Sequence, residues 1–252
     1  MIPAGATPQE NFSAGWYGKI PGTGDFIVRR VPASFSQAWD RWMQAAIAGS
    51  RERLAARWRD TFLSMPVWRF VFSPGMLTAS AWAGVMAPSV DAVGRYFPLA
   101  VAAALPSASL DVAGTLLAAQ GWFDEIEGLA LSAIAPAADS AAIDAAIAQR
   151  HFRPEWVRHS KGVDETMPIR SAKPQMLWAP LEPREQAPGE GLAALAARLA
   201  EPCAAWLAEA SELFDRCMLL CEALPFPEQY CAMMDGKWVE HGWGRRDVRA
   251  AG

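Results

Sequence analysis

Two short segments constrain this chain more than any others: WYGKIPGTGDF at residues 16–26 and PSVDAVGRYFP at residues 88–98. Each sets Gly, Pro and charged residues between apolar runs of strand length. Proline fixes φ and lacks an amide hydrogen, and glycine reaches backbone conformations closed to other residues. The chain must therefore turn sharply at both places. Each segment also carries an acid near a base, Lys19 with Asp25 and Asp91 with Arg95. The four side chains are expected near one another at the ends of adjacent strands, where Asp–Arg pairing with backbone acceptors would fix two loops.

The runs around these turns have readable periods. Residues 14–20 read as a strand that stops at Pro21-Gly22-Thr23-Gly24, a tight turn whose glycines are expected to supply positive φ. Ser34 and Gln37 match a capping box. Phe35, Trp39, Trp42, Met43, Ala46 and Ile47 then recur at three and four, as on one helix face. Gly49-Ser50 is expected to interrupt or end that helix, with a second one over 51–65. Residues 67–72 alternate, placing Trp68, Phe70 and Phe72 on one face of a strand, and residues 79–86 make the return strand. The apolar run 99–105 suits a central buried strand. Asp111 caps a helix with the stripe Val112, Leu116, Ala119, Phe123, Ile126 and Ala130, and a short helix covers 139–149. Residues 175–179 and 216–222 read as strands, 191–200 and 227–234 as helices. Residues 203–210 have helical propensity. Helices interleaved with strands predict an α/β fold, a mixed β-sheet flanked by helices in an αβα layered sandwich. The expected division is a flexible N-terminus (1–14), a part with the main sheet (15–150), an irregular crossover (151–190) and a C-terminal helix/strand part (191–252) packed on the same domain.

With 252 residues, 52% hydrophobic and 20% charged, the chain can bury a sizeable core and has a globular composition. A net charge of −4 counts against sequence-independent nucleic-acid binding, which needs a basic footprint. No apolar run approaches the ~20 residues of a membrane-spanning helix. The N-terminus has neither a basic nor an apolar leader region, so a cytoplasmic protein is expected. Cys203, Cys217, Cys221 and Cys231 form no CxxC pair, and with three scattered histidines they offer no zinc spacing. They read as small buried hydrophobes.

The chemical readings of the two signatures are weak. Gly18, Gly22 and Gly24 after a strand suggest a phosphate loop, but Lys19 precedes the turn and Asp25 would repel a phosphate. Ser89 beside Asp91 suggests a hydrolase, but His151, His159 and His241 are all distant in sequence and no nucleophile elbow is present. Asp124, Glu125 and Glu127 read as a solvated helix face before they read as metal ligands. Arg51, Arg53, Arg57 and Arg59 suit an exposed face or a contact surface for an acidic partner. No catalytic, cofactor or metal residue is assigned.

The same residues resemble a family. Gly18-Lys19-Ile20-Pro21, Gly24-Asp25-Phe26 and Trp39-Asp40 with Trp42 are similar to the opening of TagF proteins, associated with type VI secretion. Trp68-Arg69-Phe70, Trp82-Ala83-Gly84-Val85, Pro88-Ser89-Val90-Asp91, Gly94-Arg95 and Phe97-Pro98-Leu99 continue the pattern in order. Trp206, Ser211-Glu212 and Leu224-Pro225 match the later pattern more loosely, with Leu207 where the family has a second Trp and Ala210 where it has Gly. The resemblance favours a strand over 203–210. It also implies a helix-flanked sheet without catalytic activity. It further implies a cytoplasmic repressor of type VI secretion that binds the system's forkhead-associated (FHA) scaffold protein. Gly18, Lys19, Pro21, Gly24, Asp25, Ser89, Asp91, Gly94 and Arg95 are then structural or interaction residues. The alternatives are a hydrolase or nucleotide-binding enzyme using Ser89 or the Gly22–Gly24 turn, and a structural component of the secretion apparatus.

Overall fold

The computed structural model describes residues 12–106, 110–159, 173–182, 199–211 and 213–245. Most of the expected flexible N-terminus, most of the 191–200 helix and much of the 151–190 crossover lie outside these residues. The elements in chain order are β1 (Gly15–Gly18), β2 (Ile27–Arg29), α1 (Ala33–Leu54), α2 (Trp58–Leu63), β3 (Trp68–Phe72), β4 (Ala81–Ala87) and β5 (Leu99–Leu105). They continue with α3 (Val112–Ala118), α4 (Gln120–Ile134), α5 (Ser140–Ala148), β6 (Met176–Pro180), β7 (Ala204–Ala208), β8 (Cys217–Cys221), α6 (Pro227–Asp235) and β9 (Gly244–Arg245).

The strands form one nine-stranded sheet in the order β2-β1-β5-β4-β3-β7-β8-β6-β9. Every neighbouring pair is antiparallel except β6 and β9, so the sheet is mixed. Strands from the early and late parts of the chain meet at the β3–β7 pair, where Phe70 lies opposite Trp206.

Both faces of the sheet are covered, as the continuous burial of the central strands requires. Trp68, Phe70 and Phe72 point to one side, with Trp82, Trp206 and Leu219, and pack under Phe35, Trp39 and Met43 of α1 and Tyr230 of α6. Val71, Val85, Val101, Leu207 and Leu220 point to the other, against Leu116, Phe123 and Ile126 of α3 and α4. The αβα sandwich follows from the strands' period of two. Bulk is matched across the first face. β5 presents Ala100 and Ala102 there, and Gly84 lies between Ala102 and Phe70 in adjacent strands. A Cβ on Gly84 would come within 2.6 Å of the Phe70 ring.

Several boundaries differ from those expected. Pro32 occupies the N-cap of α1 and no side chain caps it, so the Ser34–Gln37 box does not form. α1 also runs through Gly49-Ser50. A Cβ at Gly49 would lie 2.4 Å from Pro227 Cβ, so this glycine lets α6 approach α1. Ser50 donates to the Ile47 carbonyl and accepts from Trp58 Nε1, which satisfies it inside the helix. The break comes at Ala55, with φ 47°, followed by one 3-10 turn. Asp111 does cap, accepting from Gly114 N at 2.9 Å, but its apolar stripe spans two helices that meet at Ala119.

Candidate functional site

The two signatures meet at one end of β1, β4 and β5. β5 lies between β1 and β4, so the loop leaving β1 and the loop joining β4 to β5 emerge side by side. Close approach there depends on Gly18. Its φ is 144°, and a Cβ would stand 2.3 Å from the Pro98 carbonyl oxygen. The second positive φ, 83°, is at Gly94 in the other loop. Gly22 and Gly24 do not adopt positive φ, and a Cβ at either would touch nothing. The conformational demand therefore falls on Gly18 and Gly94 and not on the turn at residues 21–24.

Asp91 organises both loops. One carboxylate oxygen, Oδ1, accepts from the Val93 and Arg95 amides at 3.0 and 2.8 Å, closing its own turn. The other, Oδ2, accepts from Lys19 Nζ at 2.5 Å and Arg95 Nε at 2.7 Å. Arg95 reaches on to the Gly24 carbonyl. Two backbone links reinforce the junction, Ala92 N to Thr23 O at 3.0 Å and Ser89 Oγ to Lys19 O at 2.7 Å. The Asp91 and Lys19 side chains are almost wholly buried, whereas Arg95 is more than half exposed. Burial opposes the Asp91 charge, but the bonds from Lys19, Arg95 and the Val93 amide outweigh it and hold the carboxyl well below its usual range.

Apolar contacts complete the junction. Phe26 stacks on Tyr17 and meets Phe97 edge-on, with ring centroids 5.4 and 4.8 Å apart. Lys19 Nζ lies 4.8 Å from the Phe26 centroid, so its charge is shared between a carboxylate and a ring face. Pro21 and Ser89 border a cavity of about 350 Å³, lined otherwise by apolar residues including Met65, Pro66, Pro88 and Ile134.

The structure thus unites Lys19, Asp91 and Arg95, but not Asp25. The Asp25 side chain is exposed, and only its carbonyl joins the turn, accepting from Thr23 Oγ1 at 2.9 Å. The backbone acceptor for Arg95 is the Gly24 carbonyl, next to Asp25 in sequence. Ser89 spends its hydroxyl proton on the backbone, the role of a turn residue and not of an activated nucleophile. Among the described residues no group of three His, Cys, Asp or Glu side chains could hold a metal ion.

A second ionic centre escaped the sequence reading. Arg69, buried on β3, donates to Glu127 at 2.7 Å, Asp124 at 2.7 Å and Gln120 at 3.0 Å. Asp124 and Glu127 are therefore not a merely solvated face; they fasten α4 to the sheet. Glu125 pairs instead with Arg150 at 2.6 Å. A charged residue inside the alternating run Trp68-Arg69-Phe70 was the available signal, since a buried arginine demands partners. All four cysteines are free and buried. Burial pushes the Cys203 thiol up to about 12 and Cys231 up to about 11.

No helix among the described residues is long and apolar enough to cross a membrane. The solved structure of PA0076 from Pseudomonas aeruginosa PAO1, a crystal structure at 2.05 Å resolution, is similar to this chain. It has 33% sequence identity and a TM-score of 0.72, and the match covers 89% of this chain and 95% of that one. The search of curated proteins found no match. The TagF N-terminal domain, described as type VI secretion system-associated, matches residues 15–150, which contain both loops and the whole Asp91 junction. The chain belongs to the TagF family of type VI secretion-associated proteins.

Proposed function

We propose that this protein is a non-enzymatic, cytoplasmic repressor of type VI secretion that acts by binding the FHA scaffold protein. The observation that carries this reading is the TagF match over residues 15–150. The state of the signature residues supports it. Asp91, Lys19 and Ser89 are engaged in joining two loops, and the chemistry that a hydrolase or phosphate-binding site would need is taken up by those bonds. A braced pair of loops presents a fixed surface, which lowers the ordering cost of binding another protein.

The reading is tested in cells that carry the secretion system. Overproducing the chain should lower export of a secreted component, and deleting its gene should raise it, with component levels unchanged. Unchanged export in both strains would sink the repressor reading.

A further inference from the structure

Beside the Asp91 junction, between α1 and the second signature loop, lies an open groove of about 510 Å³. Ile47, Ala48, Tyr96 and Phe97 give it apolar surface, and Gln44, Arg51 and Arg95 give it polar groups. No carboxylate lines it among the described residues. Asp40 accepts from Gln44 Nε2 at 2.6 Å, and Asp91 is sealed beneath Arg95.

Both arginines are held in place. Arg51 lies over the Trp58 ring, 4.3 Å from its centroid, and Trp58 packs edge-on against Tyr96 at 5.4 Å. Arg53, two residues on, is neutralised by Glu228 at 2.6 Å, whereas Arg51 pairs with no carboxylate among the described residues. Arg95 is anchored through Nε and one terminal nitrogen, which leaves its other terminal nitrogen for a ligand. The trio of Lys19, Asp91 and Arg95 carries one net positive charge and Arg51 adds a second, in a chain whose net charge is −4. Pre-oriented guanidinium groups over apolar surface suit a carboxylate that stands beside an aliphatic or aromatic residue.

We infer that this groove docks an acidic, partly apolar segment of the protein partner; for the FHA scaffold as that partner, the inference rests on the reading above. Charge complementarity selects the occupant.

Calorimetric titration tests this with two probes, the purified FHA scaffold and a synthetic peptide of alternating Glu and Leu. The variants are Arg51→Glu, which reverses a groove charge, and Ala48→Trp, which fills the groove at constant charge. Arg59→Glu is the control, with the same charge change outside the groove. Each is first checked for an unchanged melting profile. Arg51→Glu and Ala48→Trp are expected to weaken binding by about tenfold or more, Arg59→Glu to leave it within about twofold, and added salt to weaken the wild type. If the scaffold binds wild type and both groove variants alike, the groove is not the docking site and the repressor reading survives. If only the peptide binds, and through the groove, the scaffold reading falls and the acidic-segment site stands. If neither probe loses affinity in the folded groove variants, or neither binds wild type, the inference is overturned.

Discussion

Asp91 is the residue on which the signature loops turn, because it receives four hydrogen bonds from two segments. Removing its charge strands Lys19, buried beneath it, without a counter-ion. Breaking a buried pair from one side typically costs about 3 kcal/mol or more. Asp91→Asn is expected to destabilise the protein by that order at neutral pH, measured by urea unfolding. Arg95→Ala should cost less, because that side chain is largely exposed and water replaces its bonds. The pH dependence has a definite sign. A carboxyl depressed in the folded state stabilises above its unfolded value, about 3.9, and loses that contribution as pH falls towards its folded value. The gap between wild type and Asp91→Asn should therefore be full at pH 6 and narrow below about pH 4. A gap that is constant across that range would remove the ionic account of the junction. Thiol chemistry gives a further check: Cys203, Cys217, Cys221 and Cys231 should resist alkylation until the protein unfolds, because they are buried and, in the case of Cys203, held at about 12.

At the scale of elements, sequence patterns were legible where contacts are local and failed where distant segments decide. The strand alternation of Trp68, Phe70 and Phe72, the central strand β5 and the Asp111 cap were all readable from neighbours in sequence. Residues 204–208 form a strand despite helical propensity, because β3 and β8 hold them on both sides; the family pattern signalled this and composition did not. Gly49 was misread as a helix breaker, since its reason for being small is Pro227, far along the chain. The same distance hid Arg69 from Asp124 and Glu127. Of the candidate site, the pairing of Asp91 with Arg95 and the meeting of the two loops were legible. The exclusion of Asp25 was not, because a main-chain carbonyl competes for the same guanidinium without leaving a mark in the sequence. Two glycine substitutions separate these effects. Gly128→Ala, in open space on α4, should stabilise by up to about 1 kcal/mol through helix propensity. Gly49→Ala gains the same propensity but forces α6 away from α1, so a net loss of about 1 kcal/mol or more is expected in thermal melts. Stabilisation by Gly49→Ala would show that the α1–α6 contact is loose.

For the whole molecule, one continuous sheet joins the early and late parts of the chain, with α1, α2 and α6 on one face and α3, α4 and α5 on the other. The signature loops stand at one end of this sheet, tied down by the Asp91 junction and flanked by the arginine-bearing groove of α1. The junction fixes these loops at the sheet's end, and family membership sets the chain's context in type VI secretion. The most direct test of the central claim is binding between this purified chain and the FHA scaffold protein of the same secretion system, measured by titration calorimetry at physiological salt. Saturable binding of a defined stoichiometry is the predicted result. No detectable heat or complex with both proteins folded would contradict the account.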